Sequence, residues 1–140
     1  MNPLIFNWYM RNIRALQRLY GSVNFEQSRF RWMLISDYVL PPCFNHQTSA
    51  LLIETPSENL TLPDGFNFYL NQNLRRTDGK PTNRLHDNDS YNPYSSGGYS
   101  RLSFHIYVFK PNLVDPANGN NLIGICERLY SFLGDVDGIR

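Results

Sequence analysis

Apolar side chains recur at helical spacing near both ends of the chain. Residues 3–20 are predicted to form a helix, because Pro3 suits a first turn and Gly21 suits the position after a helix end. A second helix is predicted from about residue 120 to 133, with Gly134 as its cap. The predicted core faces of the two helices consist of Ile5, Tyr9, Ile13, Leu16 and Tyr20, and of Leu122, Ile125, Cys126, Leu129 and Leu133.

Three stretches between these helices have the composition and alternation of β-strands. They are residues 29–40, 49–56 and 66–74. Pro41-Pro42 ends the first, and the turn sequence Pro63-Asp64-Gly65 leads into the third. The second is apolar enough to be buried on both faces. Because the connections are short, the three strands are predicted to pair in chain order as an antiparallel meander.

A polar stretch and a short alternating segment follow the predicted strands. Residues 75–100 are rich in Asp, Asn, Gly, Pro, Ser and Tyr, and a stretch this long without apolar periodicity is usually functional or partly disordered. The next segment alternates in the order Leu102, Ser103, Phe104, His105, Ile106, Tyr107 and Val108. The whole pattern predicts one α+β domain over residues 1–140.

Composition narrows the class of protein. The chain has 140 residues, of which 41% are hydrophobic and 14% aromatic, as is typical of one globular domain. No apolar run approaches the roughly 20 residues that cross a bilayer, and the N-terminus lacks the pattern of a signal peptide. We therefore expect a cytoplasmic protein without a membrane partner. The net charge of +1 gives no reason to expect a nucleic-acid partner.

Cysteine and histidine are sparse. Cys43 and Cys126 argue against a disulfide scaffold, and the three histidines are too scattered for metal-ligand spacing. We expect neither a metal nor a cofactor. Eleven of the thirteen basic residues are arginine, and Arg11, Arg14 and Arg18 form a stripe along the first predicted helix. That stripe is either a solvated helix face or a surface for an acidic partner.

Several motifs, in this order, resemble the ubiquitin-conjugating enzyme family. The run "IETPSENLTLPDGFNFYLNQNL" resembles the family's passage from a buried strand through a proline-rich turn, with Pro56 and Leu62-Pro63 at the family's prolines. Its end, "NQNL", is similar to the His-Pro-Asn-Ile tetrad and keeps Asn73. "FKP" (residues 109–111) resembles Trp-x-Pro, and "NLIGICERLYSFLG" resembles the helix that follows it. The resemblance covers most of residues 1–134.

The resemblance implies a fold and a set of partners. The fold is the UBC-like one, and the partners are a ubiquitin-like protein and its activating enzyme. The bacterial conjugating-enzyme-like branch is the more similar one, because Ser103-Phe104-His105 fits a Ser-x-His ahead of the Trp-x-Pro-like motif. In the family, basic residues of the first helix dock the activating enzyme, so Arg11, Arg14 and Arg18 are candidates for that contact.

The family's thioester cysteine is missing. Between Asn73 and Phe109 the chain has no cysteine, so ordinary thioester chemistry is not expected. In one interpretation Ser103 accepts the cargo as an oxyester, with His105 as general base on the same face, about 6.5–7 Å away along the backbone. Asn73 would then donate to the oxyanion. Ser100 is the second candidate nucleophile.

Two other interpretations stay open. In the first, the chain is an inactive conjugating-enzyme variant that binds a ubiquitin-like protein or an activating enzyme, and Ser103 and His105 are ordinary surface residues. In the second, it is an unrelated small α+β module that binds a partner through a Tyr-rich loop containing Tyr91, Tyr94 and Tyr99.

Overall fold

Both predicted helices are present in the computed structural model, which describes residues 1–61, 63–82, 84–87 and 92–135. Helix α1 is Pro3–Tyr20, and the Asn2 side chain caps it by accepting from the backbone N–H of Leu4 at 2.8 Å. Gly21 follows with φ of 84°, as the predicted helix end requires. Helix α2 is Leu122–Gly134. The predicted cap at Gly134 is wrong, because that residue is still helical and Asp135 takes the capping position.

Six antiparallel strands form one sheet in the described part of the chain. In chain order they are β1 (Val23–Phe25), β2 (Trp32–Val39), β3 (Thr48–Glu54), β4 (Asn67–Asn71), β5 (Leu85–His86) and β6 (Tyr99–Leu102). Their spatial order is β1-β2-β3-β4-β6-β5. The predicted meander is confirmed as β2, β3 and β4. Strands β1, β5 and β6 were not predicted as separate strands, because each has only two to four residues, too few for a period.

One face of the sheet is apolar and fully buried. It joins the buried faces of both helices in a single core. The sheet residues of this face with no exposed surface are Met33, Ile35, Leu51, Ile53, Phe68 and Leu70. Leu52 points to the other face and is only 7% exposed, so the prediction that this strand is buried on both sides is confirmed.

The buried face of helix α1 differs in part from the predicted one. Tyr9, Ile13 and Leu16 are buried as expected, whereas Ile5 and Tyr20 are only partly covered. Asn12 is a buried polar residue that was not predicted: its side chain donates to the Trp8 carbonyl and accepts from the backbone N–H of Leu122, both at 2.8 Å. A buried amide that bonds at both ends fixes the start of α2 against α1.

The opposite face of the sheet becomes polar toward β5. Strand register places Tyr69 beside Arg101, and Arg101 beside His86. Side chains at directly paired positions point to the same face and lie close enough to interact. The fold therefore gathers a tyrosine, an arginine and a histidine on one face near the sheet edge.

The chain leaves the sheet immediately after β6. The backbone N–H of Phe104 bonds to the carbonyl of Leu102 at 2.9 Å, a tight turn centred on Ser103. Beyond it, Phe104 and Ile106 are buried and His105 and Tyr107 are exposed, so the predicted alternation is present outside any strand. Val108, expected on the buried side, is 62% exposed. In the described residues, neither helix is both long and apolar enough to cross a bilayer.

Candidate active site

The hydroxyl of Ser103 contacts the imidazole of His86. The distance between Ser103 Oγ and His86 Nε2 is 2.8 Å, which is a normal hydrogen-bond length. With the ring proton on Nδ1, Nε2 accepts the hydroxyl hydrogen, and this is the arrangement in which a histidine acts as a general base toward a serine.

Strand β5 places His86 at this point. Leu85 pairs with Leu102 and His86 pairs with Arg101, while the backbone N–H of Ser103 donates to the carbonyl of Arg84 at 2.8 Å. Two ladder positions and this extra bond hold the end of β6 against β5. The serine and histidine therefore lie on adjacent strands, 17 residues apart in sequence.

Arg101 is a second residue close to the Ser103 hydroxyl, on the same face of the sheet as His86. Its Nη1 atom is 3.5 Å from Ser103 Oγ, at the outer limit of a hydrogen bond. Arg101 is also paired with Tyr69, whose pKa is raised by burial and by Glu54, with the charge of Arg101 acting in the opposite direction. The serine is thus next to a permanent positive charge as well as an imidazole.

Tyr69 and Tyr94 hold Glu54 between them on this face. Their hydroxyls donate to the two oxygens of the Glu54 carboxylate at 2.8 and 3.0 Å. Burial, and then the carboxylate, raise the pKa of both phenols, so they remain protonated at neutral pH. Both phenols act as donors that fix the carboxylate, and neither is available as a base.

An open groove of about 870 Å³ reaches Ser103 from solvent. It lies between residues 103–107 and helix α2. Its polar wall includes Arg84, Ser103, His105, Tyr107, Glu127 and Arg128. Ser103 is half-buried and lines the groove, whose volume is in the range of ligand-binding sites in proteins.

His105 borders the same groove but is not the partner of Ser103. Its side chain is exposed, and its ring lies 6.2 Å from that of Tyr107, centroid to centroid. The imidazole that bonds to the hydroxyl belongs to His86, so the predicted pairing of Ser103 with His105 is corrected on geometry. The tight turn at Ser103 breaks the regular strand on which that pairing relied.

Asn73 lies at the other end of β4. Ser103 follows Leu102, which pairs with Phe68, whereas Asn73 is two residues beyond Asn71. The two ends of the five-residue strand are roughly 14 Å apart at the usual rise per residue. The structure therefore does not bring Asn73 together with Ser103, as the predicted oxyanion role requires. Asn73 is exposed and has φ of 68°, and its backbone carbonyl accepts a hydrogen bond from Asn45 Nδ2.

Ser100, the second candidate nucleophile, is enclosed. It is 1% exposed, and its hydroxyl bonds to the carboxylate of Asp87. Asp87 in turn lies 3.8 Å from the guanidinium of Arg75. A protein C-terminus cannot reach this hydroxyl, so Ser100 is a structural residue here.

Side-chain amides organise the described part of residues 75–100. Gln72 Nε2 donates to the carbonyls of Asp87, Ser95 and Tyr99 at 3.0 to 3.3 Å. Asn92, which is 5% exposed, donates to the Tyr99 carbonyl at 2.8 Å. Tyr94 bonds internally to Glu54, which removes its hydroxyl from a recognition surface, and Tyr91 and Leu62 lie outside the described residues.

The arginine stripe is exposed on α1. Arg11, Arg14 and Arg18 all face solvent, and within the described part of the chain no carboxylate forms a salt bridge with them. Arg11 and Arg18 border a shallow groove of about 170 Å³ next to Pro116 and Ala117. This surface has the charge and exposure that docking an acidic partner requires.

Neither cysteine approaches the groove. Cys126 is fully buried in α2, and burial raises the pKa of its thiol to about 12, so it stays protonated. Cys43 is half-buried, and its carbonyl accepts from the backbone N–H of Thr77. Among the residues described, no cluster of His, Cys, Asp and Glu has the geometry of a metal site.

Comparisons of the chain with protein-family models, with curated proteins and with solved structures found no match.

Proposed function

We propose that this chain is a UBC-like transfer protein of a bacterial ubiquitination-like pathway, which accepts the C-terminus of a ubiquitin-like protein on Ser103 as an oxyester. The observation that carries the proposal is the 2.8 Å contact between Ser103 Oγ and His86 Nε2 beside an open groove. The family resemblance supports it through the N-terminal helix, the meander β2–β4 and the helix after the Trp-x-Pro-like motif.

The chemistry is an acyl transfer from sulfur to oxygen. Ser103 Oγ attacks the carbonyl carbon of the thioester that joins the ubiquitin-like protein to a cysteine of its activating enzyme. A C–O bond forms and the C–S bond breaks. The hydroxyl proton passes to His86 Nε2 and then to the departing thiolate. A target amine then attacks the ester carbon, so that a C–N bond forms and the C–O bond to Ser103 breaks. The amine gives up a proton to His86 Nε2, which passes it to the departing Ser103 oxygen.

A serine needs this help more than a cysteine does. The hydroxyl is a weak nucleophile at neutral pH, and a positioned base typically contributes a factor of roughly 10² to 10⁴ in rate. Besides a base, the reaction requires that the extended tail of a folded cargo can reach the hydroxyl. The groove along residues 103–107 supports such access.

The test is to mix the protein with a ubiquitin-like protein, its activating enzyme and ATP, and to measure intact mass. We expect an adduct that resists reducing agent and is released by hydroxylamine. Ser103→Ala should not form it, while Ser100→Ala should. An adduct on Ser103→Ala at the wild-type rate, or no adduct on the wild type, contradicts the proposal.

A second candidate is a non-catalytic member that only binds the cargo or the activating enzyme. The observation that favours it is the separation of Asn73 from Ser103, together with the exposed arginine face of α1. Substituting Arg11→Glu with Arg18→Glu should weaken binding to the activating enzyme. The matched control is Arg29→Glu with Arg31→Glu, which makes the same charge change at exposed positions outside α1. If the two double variants bind the activating enzyme with equal affinity, the arginine stripe is only a solvated helix face.

A further inference from the structure

We infer that Arg101 is a catalytic residue that stabilises the oxyanion formed when Ser103 is acylated, an inference that rests on the proposed function. Arg101 Nη1 lies 3.5 Å from Ser103 Oγ, and the bond between the hydroxyl and His86 Nε2 is 2.8 Å. The guanidinium and the imidazole thus approach the same oxygen from paired positions on β6 and β5.

The long distance to the hydroxyl suits this role. The negative charge does not develop on Oγ but on the carbonyl oxygen of the group under attack, which is bonded to the carbon that Oγ joins. A donor for that oxygen should lie within normal hydrogen-bond distance of the new position, and not of the serine itself. An Nη1 atom at the outer limit of hydrogen-bond distance from Oγ meets that requirement, because the carbonyl oxygen of the acyl group lies one carbon beyond Oγ.

Arginine is chemically suited to hold such a charge. The guanidinium stays protonated, and its planar fork offers five N–H donors, so one N–H can meet the oxyanion while others keep further contacts. Its position on the sheet face is fixed by β6, between Tyr69 and His86. Tyr69 is anchored by its bond to Glu54, which limits movement on that side.

The donor to the oxyanion has to be a residue near Ser103. Asn73, which the family resemblance proposed as the donor, lies at the far end of β4, roughly 14 Å of strand away. Arg101 takes the same chemical task from a different strand. The expected loss on removing one oxyanion donor is roughly 10²- to 10³-fold in rate.

The experiment uses probes that need no cargo. 4-Nitrophenyl acetate acylates an activated serine through a tetrahedral oxyanion, and a phenylboronic acid binds as a stable tetrahedral adduct. We expect Arg101→Gln to lower the rate of Ser103 acylation by about 100-fold and to weaken boronate binding to a similar degree, with Arg101→Lys between it and the wild type. Labelled peptides identify the acylated serine, and thermal unfolding checks that each variant is folded.

Chemical rescue separates this role from a structural one. In Arg101→Ala, guanidinium ion at concentrations well below those that unfold proteins should restore part of the acylation rate, while His86→Ala should not respond. If wild-type Ser103 is acylated and Arg101→Gln reacts equally fast, the inference is wrong and the proposed function stands. If wild-type Ser103 is not acylated at all, both the inference about Arg101 and the proposed function are wrong.

Discussion

The strand pair β4–β6 has two ends with opposite characters. At the Ser103 end, defined by Ser103, His86 and Arg101, polar side chains contact one another beside an open groove. At the Asn73 end, defined by Asn73 and the amides of Gln72 and Asn92, the side chains of Gln72 and Asn92 donate to backbone carbonyls, and the backbone carbonyl of Asn73 accepts from the Asn45 side chain. Both ends are rich in residue types that catalysis uses, but only one arranges them around a reachable nucleophile.

This difference separates polar side chains that stabilise the fold from polar side chains that can react with a substrate. A side-chain amide that satisfies a backbone carbonyl is part of the stability of a loop, and it is not free to meet a substrate. A serine that lines an open groove and contacts an imidazole has a partner that can take its proton. Substitutions at the Ser103 end should therefore change reactivity and spare stability, and those at the Asn73 end should do the reverse.

The largest expected effect is at the nucleophile. Ser103→Ala should abolish labelling by a fluorophosphonate, because the probe reacts with an activated serine hydroxyl, while the free energy of unfolding stays close to that of the wild type. Ser100→Ala is the control: it removes an enclosed hydroxyl bonded to Asp87, so it should keep the labelling and destabilise the fold by about 1 kcal/mol. Labelling that follows Ser100 instead would reverse the assignment of the two ends.

The next effect is on stability at the Asn73 end. Asn92→Ala removes the amide that donates to the Tyr99 carbonyl in a position only 5% exposed. Losing this buried amide, which also donates to the carbonyls of His86 and Asp87, should cost about 2 kcal/mol of unfolding free energy, measured with urea. Glu58→Ala, at an exposed position, is the control and should change little. An equal loss in the two variants would contradict a structural role for the amide.

The smallest effect concerns Asn73 itself. Its φ of 68° is a conformation that asparagine and glycine tolerate, so Asn73→Ala should cost about 1 kcal/mol and Asn73→Gly much less. Neither should alter the rate of fluorophosphonate labelling. A fall in labelling of 100-fold in both variants would bring Asn73 back as an oxyanion donor and overturn the distinction between the two ends.

The sequence predicted what is periodic. Both helices and the meander β2–β4 follow from apolar spacing, because each runs long enough for the pattern to repeat. The short strands β1, β5 and β6 could not be found this way. Strand β5 consists of two residues that form a strand only because β6 lies beside them, so its existence depends on tertiary pairing.

The site was half predictable for the same reason. Ser103 was visible as a polar residue in an alternating segment, and a nearby histidine was the natural choice of base. His86 gave no local signal except that it is a histidine within a long polar stretch of the kind that is often functional. Its contact with Ser103 depends on the register between β5 and β6, which no local spacing encodes. Asn73 was proposed from a motif position alone. Its distance from Ser103 depends on how β4 pairs with β6, which the motif does not encode.

The most direct test of the account is the rate of Ser103 labelling in two matched histidine variants. His86→Gln and His105→Gln remove the same group from residues that lie on either side of Ser103 in the chain. If His86 is the base, His86→Gln should label at least about 100-fold more slowly than the wild type, while His105→Gln labels at the wild-type rate. The opposite order, or equal rates in all three proteins, would contradict the account.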